Sequence, residues 1–202
     1  DQHVFKETLR IVPEIQAYEE NLRLPLVEIC LPALQRLSDV QYEAFRKNII
    51  FLISADKRVS LFEYALQRIV FRNLDIAFGK KEAFTKENIL NLSYLIKETN
   101  LLLSSLTYLG HNNMKDAEAA FRKASQYLKR VDTTLLSKDD CSLKGFDAAL
   151  DKLEHLTPVL KRQLIEACLC CIQHDGKMEI KEVELVRAIA ESLDCPIPPL
   201  IS

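Results

Sequence analysis

The sequence lacks several features that would point to a common function. It has no tryptophan and only four glycines among 202 residues, which excludes the glycine-rich loops that hold phosphate groups. Its most apolar stretch, Leu101 to Gly110, is far shorter than the roughly 20 residues of a membrane-spanning helix. Basic and acidic side chains number 27 and 29, so no positive excess favours nucleic acid. The composition is that of an ordinary globular protein.

Enzyme motifs are also missing. The four histidines, His3, His111, His155 and His174, cannot form the HExxH motif of zinc peptidases. We therefore predict no catalytic residue in this chain. A nucleophile pair of Cys171 and His174 remains an alternative, although a cysteine on an apolar helix stripe is more often a packing residue.

The six cysteines favour free thiols over disulfides. Three of them lie in the run CLCC, from Cys168 to Cys171, inside a helical pattern. A chain with a sizeable core does not need disulfides. We therefore predict reduced cysteines in a reducing compartment. The CLCC run is a weak candidate for a zinc site, because no second cysteine pair has the required spacing.

Helical periodicity, in contrast, runs through almost the whole chain. Apolar residues form one stripe in the segment 42–53 and another in the segment 183–193; these are Tyr42, Phe45, Ile49, Leu52 and Ile53, and Val183, Val186, Ile189, Ala190 and Leu193. The pattern predicts an all-α fold of about eight or nine helices. Residues 1–36 are expected to form an N-terminal helical segment that packs on, or leads into, a single domain of residues 37–202.

An internal repeat links two distant parts of the chain. A shift of 119 positions, the distance from Asp56 to Asp175, also carries Glu63 onto Glu182 and Arg68 onto Arg187. The matching segments are 37–70 and 156–189. The repeat predicts two helix–loop–helix hairpins that pack about a pseudo-two-fold axis.

The repeated acids allow two interpretations. A divalent cation prefers several oxygen ligands, and the two hairpins offer five carboxylates: Asp56, Glu63, Asp175, Glu179 and Glu182. The basic residues Lys57, Arg58 and Lys177 in the same loops oppose such a site.

The other interpretation is structural. Asp56 and Asp175 then turn the chain between helices, and Glu63 completes a capping box with Ser60. We favour this interpretation and keep a divalent-cation site as the alternative.

The two hairpins, ISADKRVSLFEYALQRIV and IQHDGKMEIKEVELVRAIAESL, resemble the TerB-like domain, which is named for tellurite-resistance proteins. The resemblance implies an all-helical fold with two pseudo-symmetric hairpins, divalent-metal binding through their acids and protein interactions near membranes. Asp56, Glu63, Asp175 and Glu182 match the acids of the family motif. Lys57 departs from its glycine.

A broader resemblance runs from about Leu22 to Ser202. This region is similar to the C-terminal part of bacterial membrane-bound zinc metallopeptidases of the Ste24/HtpX-like group. The resemblance implies that the peptidase motif, its zinc and the membrane helices lie upstream. The start without methionine, DQHVFKETL, agrees with a fragment of a longer protein.

From these resemblances we expect a non-catalytic regulatory or protein-interaction module at the cytoplasmic face of a bacterial inner membrane. Its expected partner is another protein or the peptidase domain of its parent, with no nucleic acid. The module is expected to be soluble, to contact the membrane only through the upstream part, and to require no cofactor. The alternative is a sensor that binds Ca²⁺, Mg²⁺ or Zn²⁺ through the hairpin acids.

Overall fold

A computed structural model describes residues 2–18, 22–55, 60–80, 88–129, 131–173 and 179–197. Within these ranges the chain forms nine α-helices and two short 3₁₀ helices, at Leu92–Leu95 and Lys138–Asp140. The β structure of the described ranges is a single bridge between Ile89 and Leu156. The predicted all-α fold and helix number are confirmed.

Two of the connections between successive helices are long, and each of them contains one of the 3₁₀ helices. The bounds of the α-helices are α1 (Gln2–Gln16), α2 (Arg23–Leu34), α3 (Asp39–Ala55), α4 (Leu61–Ala77), α5 (Ile96–Gly110), α6 (Met114–Ser125), α7 (Leu143–Leu153), α8 (Pro158–Ile172) and α9 (Ile180–Ser192). Asn113 and Ser142 cap α6 and α7, because each side chain accepts a hydrogen bond from the backbone N–H three residues later.

Helix α5 lies at the centre of the main hydrophobic core. Leu102, Leu103 and Leu106 on this helix are completely buried, and α6, α7 and α8 pack around it. Helix α9 closes the core by packing along α4. The core is therefore built mainly from residues after position 60.

A smaller hydrophobic cluster joins α2, α3 and the C-terminal half of α4. Its buried members are Leu31, Tyr42, Val70 and Leu74. The Tyr42 hydroxyl donates a hydrogen bond to Asp75 at 2.7 Å, and its ring stacks on Phe78 with centroids 4.4 Å apart. This cluster is where α3 packs against the rest of the protein, and it involves one face of the helix.

The apolar stripe predicted for α3 is only partly buried, so this prediction is corrected. Tyr42 is buried, whereas Leu52, on the same predicted stripe, is 67% exposed. Periodicity marks the apolar face of a helix, but burial also requires a neighbour that covers this face along its whole length. No part of the described chain covers the C-terminal end of α3 in this way.

Helix α1 is the least embedded helix. None of its residues is buried, whereas Leu24 and Leu31 of α2 are. No helix in the described ranges has the length and apolar character needed to cross a membrane.

Candidate functional site

The first turns of α4 and α9 face a common cavity of about 300 Å³. Among the residues that line it are Glu63 at the start of α4 and Glu179 and Glu182 at the start of α9. Arg23 of α2 and Leu109 of α5 complete the wall. The structure thus brings three of the five predicted ligands to one place, although they are far apart in sequence.

Glu63 has a defined structural role in this cavity. Its carboxylate accepts hydrogen bonds from the Ser60 backbone N–H and hydroxyl, both at 2.9 Å. In return, the Glu63 N–H donates to the Ser60 hydroxyl at 3.2 Å. The predicted capping box is confirmed. It satisfies two backbone N–H groups that the helix itself cannot.

Glu182 makes the equivalent bond at the start of α9. Its carboxylate accepts a hydrogen bond from the Glu179 N–H at 3.0 Å. The other carboxylate oxygen lies over the end of α5, where a Cβ added to Gly110 would approach it to 3.3 Å. Glycine at position 110 therefore allows the Glu182 carboxylate to lie close to the α5 backbone.

Asp56 and Asp175, the other two predicted ligands, lie outside the described residues. Within the described ranges, no group of three or more histidine, cysteine, aspartate or glutamate side chains is arranged to hold a metal ion. Glu63 and Glu182 already have hydrogen-bonded roles as helix caps. The metal site thus stays a prediction, whereas the capping interactions are observed.

Two arginines with little exposure form a second feature of the repeated segments. Arg68 of α4 and Arg187 of α9 occupy equivalent positions in the repeat, and their side chains are 10% and 4% exposed. Arg187 donates two hydrogen bonds to the buried carboxylate of Glu184, at 2.7 and 2.8 Å. Each arginine can remain charged inside the protein because acids surround it.

Arg68 pairs with a different helix. It donates hydrogen bonds to Asp147 at 2.6 Å and Asp151 at 2.7 Å, both on α7. These two acids raise the pKa of Arg68 although burial opposes its charge. The spacing of four residues between the aspartates, which places both on one face of α7, was a sequence signal for this pairing.

A groove of about 380 Å³ lies beside these ion pairs. Its wall includes Arg68, Arg72, Tyr64 and Asp75. Arg72 donates hydrogen bonds to the Glu154 carboxylate at 2.7 Å and the Ser192 carbonyl at 2.8 Å. The described arginines of this groove are all paired with acids, so the groove offers no free positive charge to an anion.

The cysteines of α8 are packing residues. Cys168, Cys170 and Cys171 are buried, and burial raises the pKa of the Cys171 thiol to about 12. A thiol with this pKa is protonated at neutral pH and is a poor nucleophile. The Cys171 environment therefore favours packing over the nucleophile pair, and His174 lies outside the described residues.

Two exposed apolar surfaces stand out on the first part of the chain. On α1 the side chains of Val4, Phe5 and Leu9 are exposed by more than half. On α3, Phe51 and Leu52 are 70% and 67% exposed. We call these the α1 face and the α3 face. Clustered exposed apolar side chains of this kind mark interaction sites more often than ordinary surface.

The chain matches no protein-family model, no curated protein and no solved structure.

Proposed function

We propose that this chain is a non-catalytic regulatory and protein-interaction module, attached C-terminally to the catalytic part of a membrane zinc metallopeptidase. The observation that carries the interaction role is the pair of exposed apolar surfaces, the α1 face and the α3 face. Both lie outside the main core, so a partner can bind them without disturbing it. The module acts at the cytoplasmic face of a bacterial inner membrane through its parent protein.

The charges of α1 favour a protein over a lipid surface as the ligand. The polar side of α1 carries Lys6 and Arg10 together with Glu7 and Glu14, and Arg10 is paired with Glu7 at 3.0 Å. Helices that bind anionic membranes usually carry an excess of lysine and arginine on this side. A balanced helix gains little from such a membrane and fits a protein groove better.

The scaffold of the module is a TerB-like pair of pseudo-symmetric hairpins, α3–α4 and α8–α9. In support of this proposal, Asp39 and Pro158 begin α3 and α8, and Leu61 and Ile180 begin α4 and α9. Both pairs are 119 positions apart, which is the period of the sequence repeat.

The interaction role is tested by photo-crosslinking in bacteria that produce the parent protein. A photoreactive amino acid is placed at position 51 on the α3 face or at position 159 on α8, where Val159 is 66% exposed. We expect protein adducts from position 51 and few from position 159. An absence of adducts from position 51, and from position 9 on α1, would overturn the interaction role.

The link to a peptidase is tested separately, by the coding sequence upstream of Asp1. We expect an HExxH motif and membrane-spanning segments there. An upstream region without this motif would remove the peptidase from the proposal and leave the interaction module.

A divalent-cation sensor is the second candidate function. It is favoured by the cavity that Glu63, Glu179 and Glu182 share, since Asp56 and Asp175 each precede the first residue of α4 or α9 by five positions in the sequence. In this proposal the five carboxylates bind one or two cations and tighten the two hairpins.

Melting temperature tests the sensor. The chain is stripped with chelator and titrated with Ca²⁺, Mg²⁺ or Zn²⁺. A cation at 100 times its dissociation constant adds about 2.7 kcal/mol to the free energy of unfolding. We expect this gain to vanish in Asp175→Ala and Asp56→Ala but not in Glu118→Ala, a control at an exposed acid of α6, outside the two repeated segments. No gain with any of the three cations would overturn the sensor.

A further inference from the structure

We propose that two copies of this chain form a reciprocal dimer in which α1 of each copy packs on the α3 face of the other. The inference rests on the proposed interaction role and identifies the partner of its two surfaces. It follows from a comparison of α3 with α8, its equivalent in the repeat.

Helix α8 shows how the end of such a helix is covered. In the sequence repeat, Phe51 is equivalent to Cys170 and Leu52 is equivalent to Cys171. On α8 both cysteines are buried, at 3% and 0% exposure. They are covered because α5 and α6 pack against α8.

Each cysteine faces one of these two helices. Cys170 lies near Lys123 on α6, and Cys171 lies near Thr107 on α5. The equivalent positions of α3 carry larger apolar side chains, Phe51 and Leu52, and remain exposed. The α3 face is therefore exposed, whereas each of the equivalent positions of α8 is covered by a neighbouring helix.

Helix α1 has the properties of the missing cover. The helix that packs on α8, α6, is amphipathic and buries one stripe that contains Ala117, Phe121 and Ala124. Helix α1 is also amphipathic, with its apolar residues at helical spacing on one side; they are Val4, Phe5, Leu9, Ile11, Val12 and Ile15. None of them is buried, so no part of the described chain buries the apolar side of α1.

A second copy is the occupant that the buried area favours. In the single chain α1 does not cover the α3 face, since Phe51 and Leu52 stay exposed. The exposed apolar side chains of α1, together with Ile50, Phe51 and Leu52 of α3, offer at most roughly 800 Å², which is about the area per partner of a stable interface. A two-fold axis lets each copy contribute both surfaces, whereas one α1 on one α3 would bury only half of this area.

The dimer is tested on the full chain by size-exclusion chromatography with light scattering. We expect twice the monomer mass of 23.2 kDa at micromolar concentration, with little dependence on salt because the contact is apolar. Leu9→Asp and Phe51→Asp should each raise the dissociation constant at least tenfold. Val159→Asp, an equally exposed apolar residue on α8, should leave the dimer intact.

Mixing the two variants separates a reciprocal exchange from other dimers. A mixed pair has one undamaged contact, between the α1 face of the Phe51→Asp chain and the α3 face of the Leu9→Asp chain. We therefore expect the mixture to associate more tightly than either variant alone. Helix content and melting temperature, measured in parallel, identify a variant that fails to fold. Phe5→Ser then replaces Leu9→Asp on the α1 face, and Leu52→Ser replaces Phe51→Asp on the α3 face.

Several outcomes would overturn the dimer. They are a monomer at all concentrations, a dimer that neither variant weakens, and a mixture that associates no better than its components. A monomer whose position 51 crosslinks to a different protein would overturn the dimer and leave the proposed interaction role standing. An absence of any adduct would overturn both.

Discussion

The helix pairs α3–α4 and α8–α9 begin at equivalent positions of the sequence repeat, but they differ in what surrounds them. Helices α3 and α8 begin 119 positions apart, as do α4 and α9, and α4 and α9 both carry a glutamate that caps its first turn. Yet α8 is buried between α5, α6 and α9, whereas α3 packs by one face on α4 and a small cluster. The same design therefore gives a core helix in one half and a surface helix in the other.

This difference shows that the neighbouring helices, more than the pattern of the helix itself, determine which of its residues are buried. Small side chains, Cys170 and Cys171, occupy positions where helices approach closely, while the exposed equivalents are Phe51 and Leu52. Close packing leaves little volume for a side chain, so the smaller residues fit the covered half. If the comparison is correct, equivalent substitutions in the two halves must have unequal costs.

The largest difference in the cost of equivalent substitutions is expected for Arg68 and Arg187. Arg187→Ala leaves the Glu184 carboxylate, only 6% exposed, without its main partner, and should lower the free energy of unfolding by about 3 kcal/mol or more. Arg68→Ala should cost only about 1–2 kcal/mol, since its acids on α7 are half exposed and regain water. Urea denaturation of both variants measures the difference.

A double variant provides the control for this prediction. Replacing both members of the buried pair, in Arg187→Met with Glu184→Leu, removes the charge as well as its partner and should recover most of the lost stability. Equal costs for Arg68→Ala and Arg187→Ala would show that the exposure of the paired acids does not set the penalty.

A smaller inequality is expected for two leucines that the repeat aligns. Leu185 of α9 is completely buried, and Leu66 of α4 is half-buried against the same core. Leu185→Ala should lower the free energy of unfolding by about 3 kcal/mol, because it leaves a cavity. Leu66→Ala should cost about 1 kcal/mol, since water reaches the site. The same denaturation curves measure both, and a larger loss for Leu66→Ala would contradict the comparison.

Sequence reasoning was sufficient for the local features of this fold. Periodicity predicted the helices, and the Ser60–Glu63 pattern predicted a capping box that the structure contains. These features depend on residues within four positions of one another, where spacing alone determines geometry.

Features that depend on distant elements were not predictable in this way. The partners of Arg68 lie 79 and 83 positions away on α7, and the exposure of Leu52 depends on which helices approach α3. The convergence of Glu63 and Glu182 was predictable only in outline, because the repeat implied that the hairpins meet but not that their first turns share a cavity. Two of the predicted ligands, Asp56 and Asp175, lie outside the described residues, so the metal site stays a prediction.

The smallest expected change in stability concerns Glu191 of α9. The shift of 119 positions aligns this residue with Arg72 of α4. Burial, helped by the nearby Glu28, raises the pKa of Glu191, while Arg72 and Arg187 oppose this effect. A carboxyl group with a raised pKa in the folded state destabilises the protein once it is ionised, so stability is gained as the pH falls through that pKa.

Glu191→Gln should therefore stabilise the protein slightly at pH 7, and the advantage should shrink as the pH falls and the native carboxyl becomes protonated. Urea denaturation between pH 7 and pH 4 measures the difference, with Glu118→Gln on the exposed side of α6 as the control. A stabilisation that does not change with pH would show that the introduced amide acts through packing. A loss of stability at pH 7 would show that the attraction of Arg72 and Arg187 for the ionised Glu191 outweighs the cost of its burial. Glu191 would then stabilise α9 through an ion pair, as Arg72 does on α4.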